Sequence, residues 1–197
     1  MKILVETHIK GLIFDLDGTL ADTMPKHYLA WKKAALDFGI DFPEKLFYEW
    51  AGMPTGVVIS NLGKINNTTI DEVEMGKRKD KYYFQMKLKA QPIPEIMDVV
   101  NRYQNKLPMA IGTGSNKEVA FKTLKEIGCE DIFKTVVTAD DVSLFKPAPE
   151  TFLLCAKKMG VEPSLCMVFE DGDPGIEAAK KANMTYVDVR DFLAANH

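Results

Sequence analysis

Short, unbroken apolar runs recur along the chain and alternate with stretches of helical periodicity. The first run is Leu12-Ile13-Phe14, which shows no polar alternation and therefore predicts a strand buried on both faces. Further strands are predicted over residues 107–111, 135–138, 166–169 and 185–189. Helical patterns separate these strands from residue 95 onward. This alternation of strands and helices predicts right-handed crossovers and an α/β fold whose parallel sheet carries helices on both faces.

Between the first strand and the second, the pattern is helical only. Pro25 suits the first turn of a helix, and Gly39 suits its end. Further helices are predicted over residues 43–50, 55–63 and 69–86. Because no strand is predicted in this block, we expect an all-helical cap over residues 22–91, inserted after the first strand. The catalytic core is then expected to consist of residues 1–21 and 92–197.

Composition and charge narrow the class of protein. A chain of 197 residues, 46% of them hydrophobic, can bury a core as one domain with a small insertion. The net charge of −3, with both signs interspersed, argues against nucleic acid as a partner. Residues 1–14 lack a long apolar signal segment, and no stretch is long enough to span a bilayer, so we expect a cytoplasmic protein without a membrane partner. The sequence leaves the oligomeric state open.

The three cysteines are odd in number and lie in apolar surroundings. We interpret them as reduced thiols of the core, which suits the cytosol. They are Cys129, Cys155 and Cys166.

Polar side chains follow the predicted strands. Asp15 and Asp17 come directly after the first run, and residues two apart in a strand share a face. Other candidates at or shortly after strand ends are Thr113, Lys146, Glu170 and Asp171. We expect all of them to converge, because the carboxyl ends of parallel strands lie at one edge of a sheet. Carboxylates, a hydroxyl and an ammonium group suit phosphoryl transfer, and carboxylate oxygens favour Mg²⁺ over zinc.

These residues lie in four motifs that occur in the order found in a known family. The run Asp15-Leu16-Asp17-Gly18-Thr19 resembles the first motif, D-x-D-G-T, of the haloacid-dehalogenase-like hydrolases. The later motifs are matched by Gly112-Thr113-Gly114-Ser115, Lys146-Pro147-Ala148-Pro149 and Glu170-Asp171. The resemblance covers nearly the whole chain. It is greatest to the β-phosphoglucomutase-like branch, and within it to the bacterial fructose-1-phosphate / 6-phosphogluconate phosphatases.

The resemblance implies a Rossmann-like core and a role for each motif residue. Asp15 would be the nucleophile that forms an aspartyl-phosphate, and Asp17 would be the general acid and base. Glu170 and Asp171 would complete a Mg²⁺ site with Asp15 and the Asp17 carbonyl. The phosphate-binding residues would be Thr113, Gly114 and Lys146.

Three cap residues are weaker candidates for substrate contact. The resemblance places a site-facing residue at His27, whereas the pattern alone favours a histidine on a helix surface. Lys79 lies in the charged run 77–81, most simply a solvated helix face, but it matches a substrate-facing lysine of sugar-phosphate mutases. Thr55 stands where the β-phosphoglucomutase group carries an arginine for a second phosphate. Because arginine binds phosphate in bidentate fashion, its absence favours a phosphatase over a mutase.

The predicted function is Mg²⁺-dependent hydrolysis of a small sugar or sugar-acid monophosphate through an aspartyl-phosphate. A sugar-phosphate mutase is the nearest alternative. A non-enzymatic receiver module also uses a strand-end aspartate with Mg²⁺, but receivers lack the D-x-D-G-T run and the helical insertion. A dehalogenase would lack the second aspartate, Asp17.

Overall fold

A five-stranded parallel sheet forms the centre of the molecule, as the computed structural model shows for residues 2–193. The strands of the chain are β1 (Gly11–Phe14), β2 (Ala21–Asp22), β3 (Gln91–Pro92), β4 (Met109–Gly112), β5 (Thr135–Val137), β6 (Cys166–Glu170) and β7 (Thr185–Asp188). The order in the large sheet is β5-β4-β1-β6-β7, and every pairing in it is parallel. The site-bearing strand β1 is therefore central, between β4 and β6.

Helices cover both faces of this sheet, which confirms the predicted fold class. They are α5 (Pro94–Tyr103), α6 (Lys117–Glu126), α7 (Glu150–Met159) and α8 (Asp173–Lys181). Leu12 and Phe14 belong to the apolar cluster formed with α5 and α6, whereas Ile13 belongs to the cluster formed with α7 and α8. Alternate residues of β1 thus face opposite layers, so the whole run must be apolar. Short 3₁₀ helices occur at Ala139–Asp141, Pro163–Leu165 and Val189–Asp191.

Four helices follow β2, and we call them the cap. They are α1 (Met24–Leu36), α2 (Glu44–Glu49), α3 (Thr55–Ile65) and α4 (Glu72–Gln85). The cap has an apolar cluster of its own. In it, Trp31 of α1 and Phe42, which lies between α1 and α2, pack with Leu62 of α3 and Met75 of α4. Helix α4 begins later than the predicted residue 69, because Asp71 accepts the N–H of Glu74 at 2.9 Å and caps the helix.

A two-stranded antiparallel ribbon lies where the chain enters and leaves the cap. Ala21 pairs with Pro92, and Asp22 pairs with Gln91. The hydrophobic pattern did not predict these two-residue strands, since neither shows any periodicity. The ribbon lies at the predicted border between core and cap, and the division into 1–21, 22–91 and 92–197 stays a prediction.

Other segments differ from the sequence prediction by one or two residues. Strand β5 ends at Val137 rather than at Thr138, because the N–H and hydroxyl of Thr138 both bond Asp141 and begin a 3₁₀ helix. All three cysteines lie within the described residues and are buried, free thiols. Within residues 2–193, no helix combines the length and apolar character that a membrane span requires.

Candidate active site

Three carboxylates from two strands meet at the carboxyl edge of the sheet. Asp15 follows β1, Glu170 ends β6 and Asp171 comes next. Each offers an oxygen, and these oxygens lie within 4.8 Å of one another. We call these three residues the acid cluster. Parallel pairing of β1 with β6 brings them together, although about 150 residues separate them in sequence.

Lys146 is the cation that contacts the acid cluster. Its ammonium lies 2.7 Å from Oδ1 of Asp15 and 3.1 Å from Oε1 of Glu170, and the side chain is buried. Burial alone would lower the pKa of Lys146, but the charges of the two carboxylates outweigh it and raise the pKa above its ordinary value. The lysine therefore stays charged and holds the Asp15 carboxylate in place.

One lysine does not neutralise three carboxylates. Burial, followed by the charge of Glu170, raises the pKa of Asp15 well above its usual range. Burial is also the main cause that raises the pKa values of Glu170 and Asp171, each to about 7. A second cation would allow all three groups to ionise, and buried carboxylate oxygens suit a hard divalent ion. The residues present therefore fit Mg²⁺.

Asp17 lies in a different environment, surrounded by hydrogen-bond donors. Its Oδ1 receives Thr23 Oγ1 at 2.7 Å and lies 3.0 Å from Nε2 of His27. Its Oδ2 receives Ser115 Oγ at 2.6 Å and Thr113 Oγ1 at 3.4 Å. Burial would raise the pKa of Asp17, yet the imidazole and the hydroxyl donors together lower it below the usual range. The surroundings of Asp15 thus favour its protonated form, whereas those of Asp17, two residues further along the chain, favour its ionised form.

His27 is not the helix-surface histidine that the pattern favoured. It is 7% exposed, stacks on Tyr83 with 4.5 Å between ring centroids, and meets Asp17 across the border of cap and core. Burial lowers the pKa of His27 more than the charge of Asp17 raises it, so the net shift of this pKa is downward. Because the ionised Asp17 carboxylate can only accept a hydrogen bond, Nε2 of His27 carries the hydrogen. Nε2–H then donates the hydrogen bond to the carboxylate. Helical periodicity could not reveal this contact, because the face of α1 that carries His27 is covered by the core.

A cavity of about 710 Å³ separates the acid cluster from the cap. Thr55 and Gly114 line it, as does Lys79. Lys79 is 6% exposed, so the interpretation of residues 77–81 as a uniformly solvated face was wrong at this position. Its ammonium lies 3.2 Å from Oδ1 of Asp80, whose Oδ2 receives Asn116 Nδ2 at 2.9 Å. This contact joins cap and core at the wall of the cavity.

The sequence analysis missed two hydroxyls of the site. Ser115 bonds Asp17, and Thr19 donates to Oδ1 of Asp171 at 2.9 Å. Ser115 lies two residues beyond Thr113 at the same strand end, and that spacing could have indicated a shared direction. Asp173, which follows the acid cluster in sequence, is the first residue of α8 and pairs with Arg190 at 2.7 Å.

The fold and this site define a class of protein: an α/β enzyme with a D-x-D carboxylate pair, a buried lysine and an acid cluster beneath a helical cap. The chain belongs to the haloacid dehalogenase-like hydrolase family, whose model matches residues 9–183. The resemblance noted in the sequence is thereby confirmed. Membership of a hydrolase family decides against the receiver alternative.

Known proteins with related sequences and structures include two phosphatases and a mutase. The chain is 41% identical over 181 residues to the fructose-1-phosphate phosphatase YqaB of Escherichia coli, covering 91% of this chain and 96% of that one. It is 29% identical over 180 residues to a phosphorylated carbohydrates phosphatase of Thermotoga maritima, covering 89% and 82%. A β-phosphoglucomutase structure from Clostridium difficile superposes with a TM-score of 0.80 at 28% identity, covering 90% and 83%.

Proposed function

We propose that this enzyme is a Mg²⁺-dependent phosphatase that hydrolyses a small sugar or sugar-acid monophosphate through an aspartyl-phosphate. The observation that supports the proposal is the arrangement of residues around the end of β1. Asp15 and Asp17 both lie there and border the cavity, and Asp15 contacts Lys146 and lies beside the other two residues of the acid cluster. The names of the two related phosphatases support a phosphorylated carbohydrate as substrate. A small phosphorylated metabolite is thus the proposed partner, and the cytoplasm is the proposed location.

In the first step, a carboxylate oxygen of Asp15 attacks phosphorus, and the bond from phosphorus to the sugar oxygen breaks. Asp17 gives a proton to the departing oxygen. Asp17 is ionised in the free enzyme, so it takes up this proton from solvent, or from the monoanionic form of the substrate, as the substrate binds. The phosphate dianion beside it favours this uptake, since a nearby negative charge raises the pKa of a carboxyl group. The free alcohol leaves, and Asp15 carries the phosphoryl group.

In the second step, water attacks the phosphorus of the aspartyl-phosphate. Asp17, now ionised, takes the proton from this water, and the Asp15 carboxylate leaves with its electron pair. The hydrogen bonds from Thr23, His27 and Ser115 stabilise the ionised form of Asp17 for this role. Inorganic phosphate is released, and the enzyme returns to its starting state.

Electrostatic repulsion is the main obstacle to the first step. A carboxylate and a phosphate oxygen about 4 Å apart repel each other by about 4 kcal/mol at an effective dielectric constant near 20. Lys146 is placed to offset part of this, together with the hydroxyl of Thr113 and the backbone of Gly114 at the end of β4. Asp15, Glu170, Asp171 and the carbonyl of Asp17 would hold Mg²⁺, which supplies further positive charge when bound.

The cavity lining favours a phosphatase over the mutase alternative. A mutase must bind a bisphosphate intermediate, and its second phosphate needs a cationic partner, for which arginine is best suited. Among the described residues that line the cavity, the cations contributed by the cap are Lys64 and Lys79, and none is an arginine. The family resemblance implies that Thr55, which also lines the cavity, stands where the mutases carry that arginine. We propose that Thr55, His27 and Lys79 contact the substrate or the groups that surround it.

The test is phosphate release from a panel of sugar phosphates and sugar-acid phosphates, with and without EDTA. We expect turnover that requires Mg²⁺ and that Asp15→Asn abolishes, with the circular dichroism spectrum unchanged. A mutase would instead interconvert isomeric sugar phosphates and be activated by a catalytic amount of bisphosphate. Metal-independent hydrolysis, or hydrolysis that survives in Asp15→Asn, would contradict the proposal.

A further inference from the structure

The cap carries a second buried lysine, to which the proposed function assigns no role. We propose that the ion pair between Lys26 of the cap and Glu126 of the core positions the general acid–base residue of the site. It does so by holding α1 where the next residue, His27, bonds Asp17. This inference rests on the proposed function, because it concerns the same carboxylate.

Glu126 is the point at which three parts of the chain meet. Its Oε2 lies 3.3 Å from the ammonium of Lys26 and accepts the N–H of Ala90 at 2.9 Å. Lys26 lies just beyond the strand that enters the cap, and Ala90 just before the strand that leaves it. Glu126 is the last residue of the core helix α6. One carboxylate oxygen therefore ties both connections of the cap to the core.

Tyr83 of α4 links this junction to the active site. Its ring centroid lies 4.2 Å from the ammonium of Lys26, and its face stacks on the imidazole of His27. Its hydroxyl lies 3.1 Å from Oγ1 of Thr123, one turn before Glu126 on α6. The same core helix thus fixes both Lys26 and Tyr83. The imidazole that bonds Asp17 packs on the Tyr83 ring and follows Lys26 directly in α1.

Because Lys26 is buried, its ion pair with Glu126 restricts how α1 can lie against α6. Lys26 is 1% exposed, and a buried ammonium without its carboxylate would be strongly unfavourable. Separation of Lys26 from Glu126 would leave a buried charge without a partner, and the oxygen that Lys26 contacts also accepts the N–H of Ala90, so sliding of α1 along α6 is opposed. The pair thus restricts the orientation of α1 relative to α6, and with it the separation of His27 and Asp17.

A positioning role can be distinguished from simple stabilisation by the leaving group of the substrate. A sugar alkoxide needs a proton from Asp17 as it departs, whereas p-nitrophenolate leaves readily without one. Misplacing the general acid therefore slows sugar-phosphate hydrolysis more than p-nitrophenyl phosphate hydrolysis. A mere loss of folded enzyme lowers both rates by the same factor. The ratio of the two kcat/KM values is the readout, because kcat/KM reports the step in which the leaving group departs, whereas the hydrolysis of the aspartyl-phosphate is common to both substrates.

The test compares Lys26→Met and Glu126→Gln with Lys122→Met. Lys122 is the matched control, because its ammonium lies 3.5 Å from the other oxygen of Glu126 but it belongs to α6 itself. We expect the ratio of kcat/KM for sugar phosphate to kcat/KM for p-nitrophenyl phosphate to fall about tenfold or more in the first two variants, a part of the usual general-acid contribution. We expect no change of the ratio in Lys122→Met. Equal losses on both substrates, or no loss in either variant, would overturn the inference.

Two further variants make the test robust. In a His27→Ala background, Lys26→Met should lower the ratio no further, because the pair acts through the imidazole; an additional tenfold fall would overturn the inference. If Lys26→Met does not fold, Tyr83→Phe is tested in its place. This variant removes only the hydroxyl that contacts Thr123, and we expect it to lower the ratio as well. An unchanged ratio would overturn the inference. Failure of the proposed function would show separately, as absence of Mg²⁺-dependent turnover in the unaltered enzyme.

Discussion

Removal of divalent cations is expected to make the stability of this protein fall as the pH rises from about 5 to about 8. Burial raises the pKa values of Glu170 and Asp171 to about 7 in the folded state, above the ordinary values of 4.5 and 3.8. In this range, the folded protein holds protons that the unfolded chain has already released. The stability that these protons confer is fully present below the unfolded pKa values and is lost as the pH rises through about 7. Asp17, whose pKa is lowered, releases its proton below this range in both states. His27, whose pKa is lowered by burial, acts in the opposite sense below about pH 6.5, so the contribution of the acid cluster is measured as the difference between the unaltered protein and a variant of the cluster.

The size of the expected loss of stability follows from the pKa shift of Asp171. A pKa raised from 3.8 to about 7 corresponds to about 4 kcal/mol at ~1.36 kcal/mol per pKa unit. The side chain keeps partial contact with solvent, which screens its charge, so we expect roughly half of that value, about 2 kcal/mol. Mg²⁺ should remove the loss, since a ligand at about 100 times its Kd stabilises the folded state by about 2.7 kcal/mol.

The assay is urea denaturation at a series of pH values, with EDTA and with Mg²⁺. The free energy of unfolding should decline with pH in EDTA, and the decline should be strongly reduced in Asp171→Asn. Asp173→Asn is the matched control, because Asp173 is exposed and lies two residues further along the same loop and helix. The same pH dependence in EDTA for Asp171→Asn as for the unaltered protein would refute the electrostatic account of the acid cluster.

Three further substitutions test individual parts of the site. Asp15→Asn should lower kcat for phosphate release by about 10⁴-fold or more without unfolding the protein, and near-normal turnover would contradict its role as nucleophile. Gly175→Ala places a Cβ on Oε1 of Glu170 and must displace that carboxylate, so the Mg²⁺ concentration for half-maximal activity should rise about tenfold or more; an unchanged requirement would show that Glu170 does not hold the metal. Ser115→Ala removes the 2.6 Å hydrogen bond to ionised Asp17, so the acidic limb of the pH–rate profile should move to higher pH, and an unmoved limb would count against that contact.

Much of the core could be predicted because its signals are local. Strands β1 and β6 are short apolar runs, since both of their faces are buried, and this leaves a clear mark in the sequence. The residues directly after these strands share one edge of the sheet by the geometry of parallel pairing alone. Asp15, Glu170 and Asp171 therefore belonged to one predicted site before any distance was known.

The cap was predicted in outline but not in its contacts. Helical periodicity located α1 to α4 within a few residues, because end signals such as Pro25 and Gly39 are local as well. Periodicity distinguishes a helix face that packs within the cap from one that does not. It cannot distinguish a polar face that meets water from one that meets another domain. The pattern alone therefore favoured solvent-exposed positions for His27 and Lys79, and only the family resemblance made them candidates for substrate contact.

Taken by itself, the order of residues determined which strands form the sheet, which chemistry gathers at its edge and to which family the chain belongs. Only the tertiary structure decided how the cap meets the core: the bond of His27 to Asp17, the pairing of Lys26 with Glu126 and the hydrogen bond from Ser115. These contacts join residues up to 100 positions apart. Their partners come together only through the relative placement of packed helices, and no periodicity within either segment encodes that placement.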